Sequence, residues 1–589
     1  MQSAIGSTVV DIVNDLFGIQ ETHVDLQETR KEFKGDLTLV VFPYLRASKK
    51  SPEATASAIG DALVERHQDV IGYNVVKGFL NIVLSDHPVQ VAFDQMTLDP
   101  NWGIQPLNDH LPAAMVEYSS PNTNKPLHLG HIRNNLLGYS VAQLIKATGK
   151  PVVQVQIIND RGVHICKSMV AWKRFAEGET PEHTGIKGDH LVGKYYVRFD
   201  QQLKAEVKDL VAAGVAEDEA KKSAPCMIEV QQMLKDWEAG DPATLALWTK
   251  MNTWVYEGFN TTYSRLGVQF DKNYYESDTY LLGKQDIESG LGKGIFYRRE
   301  DGSVWIDLTA EGLDEKLVLR QDGTSVYMTQ DIGTAIQRFK DFKLDSLTYV
   351  VGNEQDYHFK VLFLILKRLG YTWADKLSHL SYGMVDLPSG RMKSREGTVV
   401  DADDLLDEME NAAKTVSEEL GKVEGLSEKE RTTLYTTIGH GALKYFILKV
   451  DPKKRMVFNP EESIDFNGNT GPFLQYTHAR ICSILKKAKY LKDWTWDHVT
   501  LSSKEREVIK LLAKFPSTVQ HAAQEQNPSE VASYLYDLAK SYNGFYQVHS
   551  VINAETPHIA AFRASLSTQV AGVLSRGLLL LGIEAPKQM

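Results

Sequence analysis

A chain of 589 residues, 43% hydrophobic and 24% charged, has material for three or four domains and the composition of an ordinary water-soluble protein. Met1-Gln2-Ser3-Ala4-Ile5-Gly6 lacks a basic stretch followed by a long apolar core, and no run reaches membrane-spanning length, which points to a cytoplasmic protein with no membrane partner. Cys166, Cys226 and Cys482 are too few and too far apart for a disulfide scaffold or a zinc knuckle, and the net charge of -11 argues in sum against a nucleic-acid partner.

The distribution of charge qualifies that sum. Lysine and arginine cluster at Arg46, Lys49 and Lys50, at Lys453, Lys454 and Arg455, and at Lys486, Lys487, Lys489 and Lys492. Such clusters permit binding to phosphates without establishing it. In chain order, residues 1 to 105 predict a small α/β unit: an amphipathic helix through Ile5, Val9, Ile12 and Leu16, a strand over Leu37 to Phe42, a helix over Pro52 to His67, and strands near Val75 and over Asn81 to Leu84.

A strand-helix-strand unit follows. Ala114 to Tyr118 is its first strand, the helix runs through Arg133, Leu136, Leu137, Val141 and Leu144 and stops at Gly149, and Val152 to Ile158 is its second strand. From 165 to 320 the pattern is an excursion of charged helix formers followed by Tyr, Trp and Gly, which interrupts the sheet. The sheet is expected to resume with a strand over Thr324 to Met328, then Ser346 to Val351, a helix over Gln355 to Leu369, and Leu380 to Val385. Beyond 400 the chain reads as helical throughout.

The strongest chemical signal is His128-Leu129-Gly130-His131, placed where the first strand hands over to its helix. Free N–H groups and the positive dipole end favour a polyphosphate at such a helix start. Gly130 lets a base or ribose approach the backbone, and the imidazoles offer donors to charge growing on phosphorus. Two partly exposed helix histidines would give the same short pattern.

Further residues narrow the choice. Val116-Glu117-Tyr118-Ser119-Ser120-Pro121-Asn122 with Lys125-Pro126-Leu127-His128-Leu129-Gly130-His131, then Asn159-Asp160-Arg161-Gly162, Tyr327-Met328-Thr329-Gln330-Asp331, Gln355-Asp356-Tyr357-His358-Phe359 and Gly471 to Arg480 resemble, in order, the blocks of the class I arginyl-tRNA synthetases. The resemblance implies an α/β multidomain protein: a tRNA-contacting domain at 1–105, a Rossmann-like, doubly wound parallel catalytic domain at 113–400 with an insertion at about 165–320, a helical stem at 401–465 and an all-helical anticodon-binding domain at 466–589. It implies arginine-tRNA ligase activity, with ATP and Mg2+ as the substrate complex, L-arginine and tRNA(Arg) as partners, and no dedicated metal site. A monomer is expected.

Carried over residue by residue, the resemblance implies arginine binding by Glu117, Asn122, Tyr327, Asp331 and Gln355. It implies ATP binding by Pro121, His128, Gly130, His131, Met384, Val385, Arg391, Met392, Lys393 and Ser394, catalytic roles for Lys125, His128, His131, Lys393 and Arg395, and tRNA contacts from Gln475, Tyr476 and Arg480. Arg391-Met392-Lys393-Ser394-Arg395 departs from the family's Lys-Met-Ser-Lys-Ser loop, with serine where the second lysine belongs; Lys125 is expected to supply that cation. A carboxylate pocket for a guanidinium rejects amino acids lacking its donors by roughly 10^4 to 10^5, so no editing domain is needed. The rivals are another class I synthetase, a nucleotidyltransferase for small metabolites, and a silent tRNA-binding paralogue. The pocket acids favour arginine over the first, length and the helical tail oppose the second, and the intact histidines oppose the third.

Overall fold

The computed structural model describes residues 2–30, 32–386, 388, 400–421, 425–489 and 494–589. The chain forms two compact units. The first comprises Met1–Trp102, Ile484–Phe515 and Lys540–Gly572. Its sheet is antiparallel, in the order Leu26–Glu28, Leu37–Val40, Phe79–Leu84, Val70–Val76. Alternation along these strands turns Leu37, Leu39, Leu80, Ile82 and Leu84 onto Ile5, Val9, Ile12 and Val13 of the Gln2–Phe17 helix and Ile59 and Leu63 of Pro52–Arg66. In the same unit Arg506 and Lys510 converge on Asp36, and Arg563 pairs with Glu505 with both side chains buried.

The second unit, Gly103–Ser483 with Pro516–Ala539 and Val573–Met589, holds a five-stranded parallel sheet. Its spatial order is Leu377–Tyr382, Leu344–Gly352, Ala113–Glu117, Val152–Ile158, Lys272–Tyr275. In order of sequence the strands therefore stand 5-4-1-2-3, the doubly wound arrangement whose direction reverses between Ala113–Glu117 and Leu344–Gly352. Ligands in such sheets bind beyond the carboxyl ends at that reversal. Met115↔Leu347 and Glu117↔Tyr349 set the register there.

Three expectations are corrected. Thr324 to Met328 is not a sheet strand: Tyr327 and Met328 open the Tyr327–Asp341 helix, whose apolar side (Met328, Ile332, Ala335, Ile336) is buried at helical spacing. The short β-rich run before it obscured this change of period. The excursion does not simply interrupt the sheet, because Lys272–Tyr275 within it pairs with Val152–Ile158 as an edge strand. Nor is the chain beyond 400 wholly helical: Met456–Val457 pairs in parallel with Val385–Asp386, which Gly383 separates from the Leu377–Tyr382 strand. A Cβ on Gly383 would lie 2.5 Å from the Lys454 carbonyl carbon, so this close approach of two backbones requires a glycine.

Close packing positions the helix behind the histidine motif. Leu129–Ala147 lies against Tyr118 at Gly138, where a Cβ would stand 2.3 Å from the Tyr118 Cβ. Tyr118 is fully buried, its one hydroxyl proton held between Gln154 Oε1 at 3.1 Å and the Gln269 carbonyl at 2.8 Å, so the ring cannot retreat. Gly138→Ala should therefore destabilise the second unit by about 1–3 kcal/mol, the overpacking cost exceeding the roughly 1 kcal/mol alanine gains in a helix. Chemical denaturation checks the sign; stabilisation would refute this packing account.

Candidate active site

The two histidines cap the helix reciprocally. His128, in extended conformation, is the N-cap; its Nδ1 accepts the Gly130 N–H at 3.1 Å, while His131 Nδ1 accepts the His128 N–H at 3.2 Å. Each ring thereby satisfies one orphan backbone donor. An Nδ1 that accepts carries no proton, so both rings are neutral Nε2–H tautomers with that donor left for a ligand. Burial, reinforced by Lys125, pushes the His128 imidazolium down to about 4, with Asp401 opposing. Burial, then His128 and Lys125, hold His131 well below its ordinary value. Gly130 has a second reason here: a Cβ would press on the His128 ring at 3.0 Å.

The strand end leading into this cap is backbone under strain. Ser119 and Ser120 take φ of 72° and 49°, a left-handed conformation costing on the order of 1–2 kcal/mol per residue. Asn134, one turn beyond the histidines, holds it: its Oδ1 accepts the Ser119 N–H and its Nδ2 donates to the Val350 carbonyl at 2.7 Å and Tyr382 Oη at 3.2 Å. One buried amide thus ties three strand ends together at the reversal. Lys125 lies between strand and cap, and burial lowers its ammonium pKa. Pro121 is buried and Asn122 exposed, bridging Asn159.

Carboxylates gather beside it. Glu117 is 5% exposed and pairs with Arg338, whose guanidinium lies over the rings of Tyr274 and Tyr349 at 5.1 and 5.5 Å. Burial raises the Glu117 carboxyl, Arg338 opposing. Asp331 accepts from His358 Nε2 at 2.6 Å. Glu276, absent from the sequence expectations, is pushed up to about 7 by burial, lowered by Arg161, and raised by Asp160 and Asp331; it makes no ion pair among the described residues. Its signal was faint, a lone acid following the edge strand. Arg161 itself lies 3.9 Å from the Tyr280 ring centroid and pairs with Glu238.

The remaining expected residues are dispersed. Tyr327 is 77% exposed and Gln355 exposed; Met384 is partly exposed and Val385 buried. Arg391, Met392, Lys393, Ser394 and Arg395 lie outside the described residues. Gln475 is wholly buried, its Nε2 donating to the Thr437 and Glu584 carbonyls at 2.9 Å each, so its side chain holds the C-terminal residues in place. Arg480 stacks on Tyr476 one turn away, at 4.7 Å. Among the described residues, one group could hold a cation: His190, Asp401 and Asp403, with ligand atoms within 4.8 Å of one another. Lys187 at 2.5 Å and Arg265 at 3.3 Å already neutralise Asp403, so side-chain cations occupy that position.

A doubly wound parallel sheet with a histidine-capped helix at its reversal defines a nucleotide-binding class of protein. The family model for the catalytic domain of class I (R) tRNA synthetases matches residues 101–459, and that of the DALR anticodon binding domain matches 474–589. The arginine-tRNA ligase of Flavobacterium psychrophilum is 56% identical over 605 aligned residues, and that of Bacteroides thetaiotaomicron 53% over 595, each covering all of both chains. The arginyl-tRNA synthetase of Thermus thermophilus has the same fold, with a TM-score of 0.80 at 24% identity over the whole of both chains. The chain belongs to the class I tRNA synthetases, in the arginine-tRNA ligase family.

The cap separates two roles of His128. His128→Asn supplies another good N-cap acceptor and should leave thermal stability nearly unchanged, whereas His128→Ala should lose about 1 kcal/mol. Both should slow adenylate formation roughly 10^2 to 10^3-fold, because neither retains a donor placed like the Nε2–H. An asparagine variant with full exchange activity would contradict the second role.

Proposed function

We infer that the chain activates L-arginine with ATP to arginyl-adenylate and transfers it to the 3′ end of tRNA(Arg). An arginine carboxylate oxygen attacks the α-phosphorus, the bond to the bridging oxygen of the β-phosphate breaks, and diphosphate leaves. The terminal ribose hydroxyl of tRNA then attacks the activated carbonyl and AMP departs. Such chemistry needs positioning and charge stabilisation more than covalent help.

The observation that carries this reading is the reciprocal histidine cap at the sheet reversal, with two neutral rings keeping Nε2–H donors. In it, His128 and His131 donate to phosphate oxygens, and Lys125 supplies the cation that serine replaces in the second signature, with Arg391, Lys393 and Arg395 as further contributors. Pro121, Gly130, Met384, Val385, Met392 and Ser394 bound the nucleoside side. Mg2+ would arrive on ATP and supply charge neutralisation at the phosphates. The nearby acid Asp401 is engaged by His190, which supports a metal carried by the nucleotide.

Asp331, fixed by His358, and Glu276 form an acidic wall that supports recognition of a guanidinium. Glu117, Asn122 and Gln355 lie at strand ends suited to the amino and carboxyl groups, and Tyr327 to a flanking wall. Tyr476 and Arg480, on one helix face, are suited to stacking on tRNA. The protein is read as a cytoplasmic monomer; among the described residues no helix is long and apolar enough to cross a membrane.

The decisive experiment is a charging assay against all twenty amino acids, with arginine-dependent diphosphate exchange run with and without tRNA. Only arginine should be charged; charging of another amino acid, or none, would refute the reading. A second expectation concerns pH. With Glu276 at about 7 in the free protein, arginine must displace its proton below that pH. Affinity measured by calorimetry should therefore fall up to about tenfold per pH unit as pH drops below 7 and level off above it. Glu276→Gln should abolish this dependence and weaken binding at pH 8 by about 1.5–3 kcal/mol.

A further inference from the structure

The Gly188–Ala212 helix of the insertion begins against the histidine signature. At Gly193 a Cβ would lie 2.9 Å from Pro126 Cδ, and at Gly188 it would meet the Trp254 carbonyl oxygen at 2.1 Å, so the first two turns of the helix are fixed between two neighbours. His190 sits between these two glycines. Its Nε2 is 3.2 Å from Asp401 Oδ2 and 3.5 Å from Asp403 Oδ2.

Asp401 is no ordinary surface acid. It caps the Ala402–Glu419 helix, accepting the Asp403 N–H at 2.8 Å and the Asp404 N–H at 3.3 Å. Its backbone pairs with His128: Leu129 donates to the Val400 carbonyl at 3.1 Å and Ala402 to the Leu127 carbonyl at 3.0 Å. The acid therefore lies beside a ring that must stay neutral for its Nδ1 to accept the cap bond. Its charge favours an imidazolium at His128, while Lys125 and His131 are the other titratable neighbours of that ring.

The surrounding charges leave one candidate to offset Asp401. Asp403 is served by Lys187 and Arg265 and touched by Thr262 Oγ1; Lys187 also pairs with Asp189, and Arg265 with Asp407 and Glu410, the latter facing His440. Among the described residues, His190 is the cation paired with Asp401. Asp401 first, with Asp403 and against burial, pushes the His190 imidazolium up to about 10, which favours its charged form.

We propose that His190 is a positioning residue for the adenylation step: its imidazolium takes up the charge of Asp401, which would otherwise favour an imidazolium at His128, and so extends to lower pH the neutral form whose Nε2–H can meet a phosphate. This rests on the reading that His128 faces ATP. The insertion thereby contributes to the nucleotide site through charge, without touching the nucleotide.

The test follows the ring itself. In the full chain labelled with 15N-histidine, the His128 signals, assigned by their loss in His128→Asn, should remain those of a neutral Nε2–H tautomer from pH 8 down to 5. In His190→Gln the protonation midpoint of His128 should rise by about one pH unit. It should return in His190→Lys, which restores a cation, and in His190→Gln with Asp401→Asn, which removes the acid and keeps a capping side chain. The acid limb of arginine-dependent diphosphate exchange, measured with tRNA present, should move in step. An unmoved His128 midpoint in His190→Gln overturns the proposal, as does a rate loss with an unchanged pH profile and midpoint. A midpoint that moves while the exchange profile stays fixed upholds the hold of His190 on His128 and instead removes His128 from the chemistry. Should His190→Gln fail to fold, Asp401→Asn alone reads the same coupling: His190 should then lose its proton nearer neutrality and His128 should become harder to protonate, and the absence of both changes overturns the proposal.

Discussion

Two backbone N–H groups at the start of one helix govern the active site. Because His128 and His131 each accept one of them through Nδ1, the rings cannot be protonated there without breaking the cap, and the remaining ring donor is free for a ligand. An aspartate cap would satisfy such an N–H group and, being acceptor-only, leave nothing to donate. In the reading that these rings donate to phosphate oxygens, the histidine motif meets a structural demand through Nδ1 and a chemical one through Nε2–H, and the two interpretations of a short His-x-x-His pattern are not alternatives.

The sheet reversal meets a different demand. The chain turns sharply at the strand end through the left-handed pair Ser119-Ser120, at a cost that Asn134 offsets through three strand ends at once. The buried Glu117–Arg338 pair beneath it makes the opposite trade: a charge kept in a dry place must be matched, and the Tyr274 and Tyr349 rings complete the match. Glu276 makes no ion pair among the described residues, and burial raises its carboxyl with only the more distant charge of Arg161 in opposition.

Much of this was legible in the sequence. Long periodic segments such as Leu129–Ala147 and Val152–Ile158 were located within a residue or two, and the histidine junction was placed at the end of its strand, because alternation and helical spacing are local signals. What escaped notice depends on contacts distant in sequence. Lys272–Tyr275 is too short to announce itself, and Tyr327 reads as a strand until its helix is seen to bury Ile332 and Ile336. Glu276 and His190 stand in stretches where a single charged residue carries no pattern. Gln475 illustrates the converse: a polar residue in a distinctive block, whose amide turns inward to hold the Thr437 and Glu584 carbonyls.

The ladder between Val400–Ala402 and Leu127–Leu129 joins segments about 270 residues apart. During synthesis at about 5–20 residues per second, the signature helix leaves the ribosome on the order of 15 to 50 s before the segment that flanks it. The first strand and helix can pair early, since their contacts are local, yet the cap remains open on one side for that interval. A nascent chain therefore holds the first two strands and the signature helix well before the segment that flanks the histidine cap, whereas the last sheet strand, Leu377–Tyr382, precedes that segment by only about 1 to 4 s at the same rate. A segment that arrives late in synthesis thus flanks the motif that arrives early.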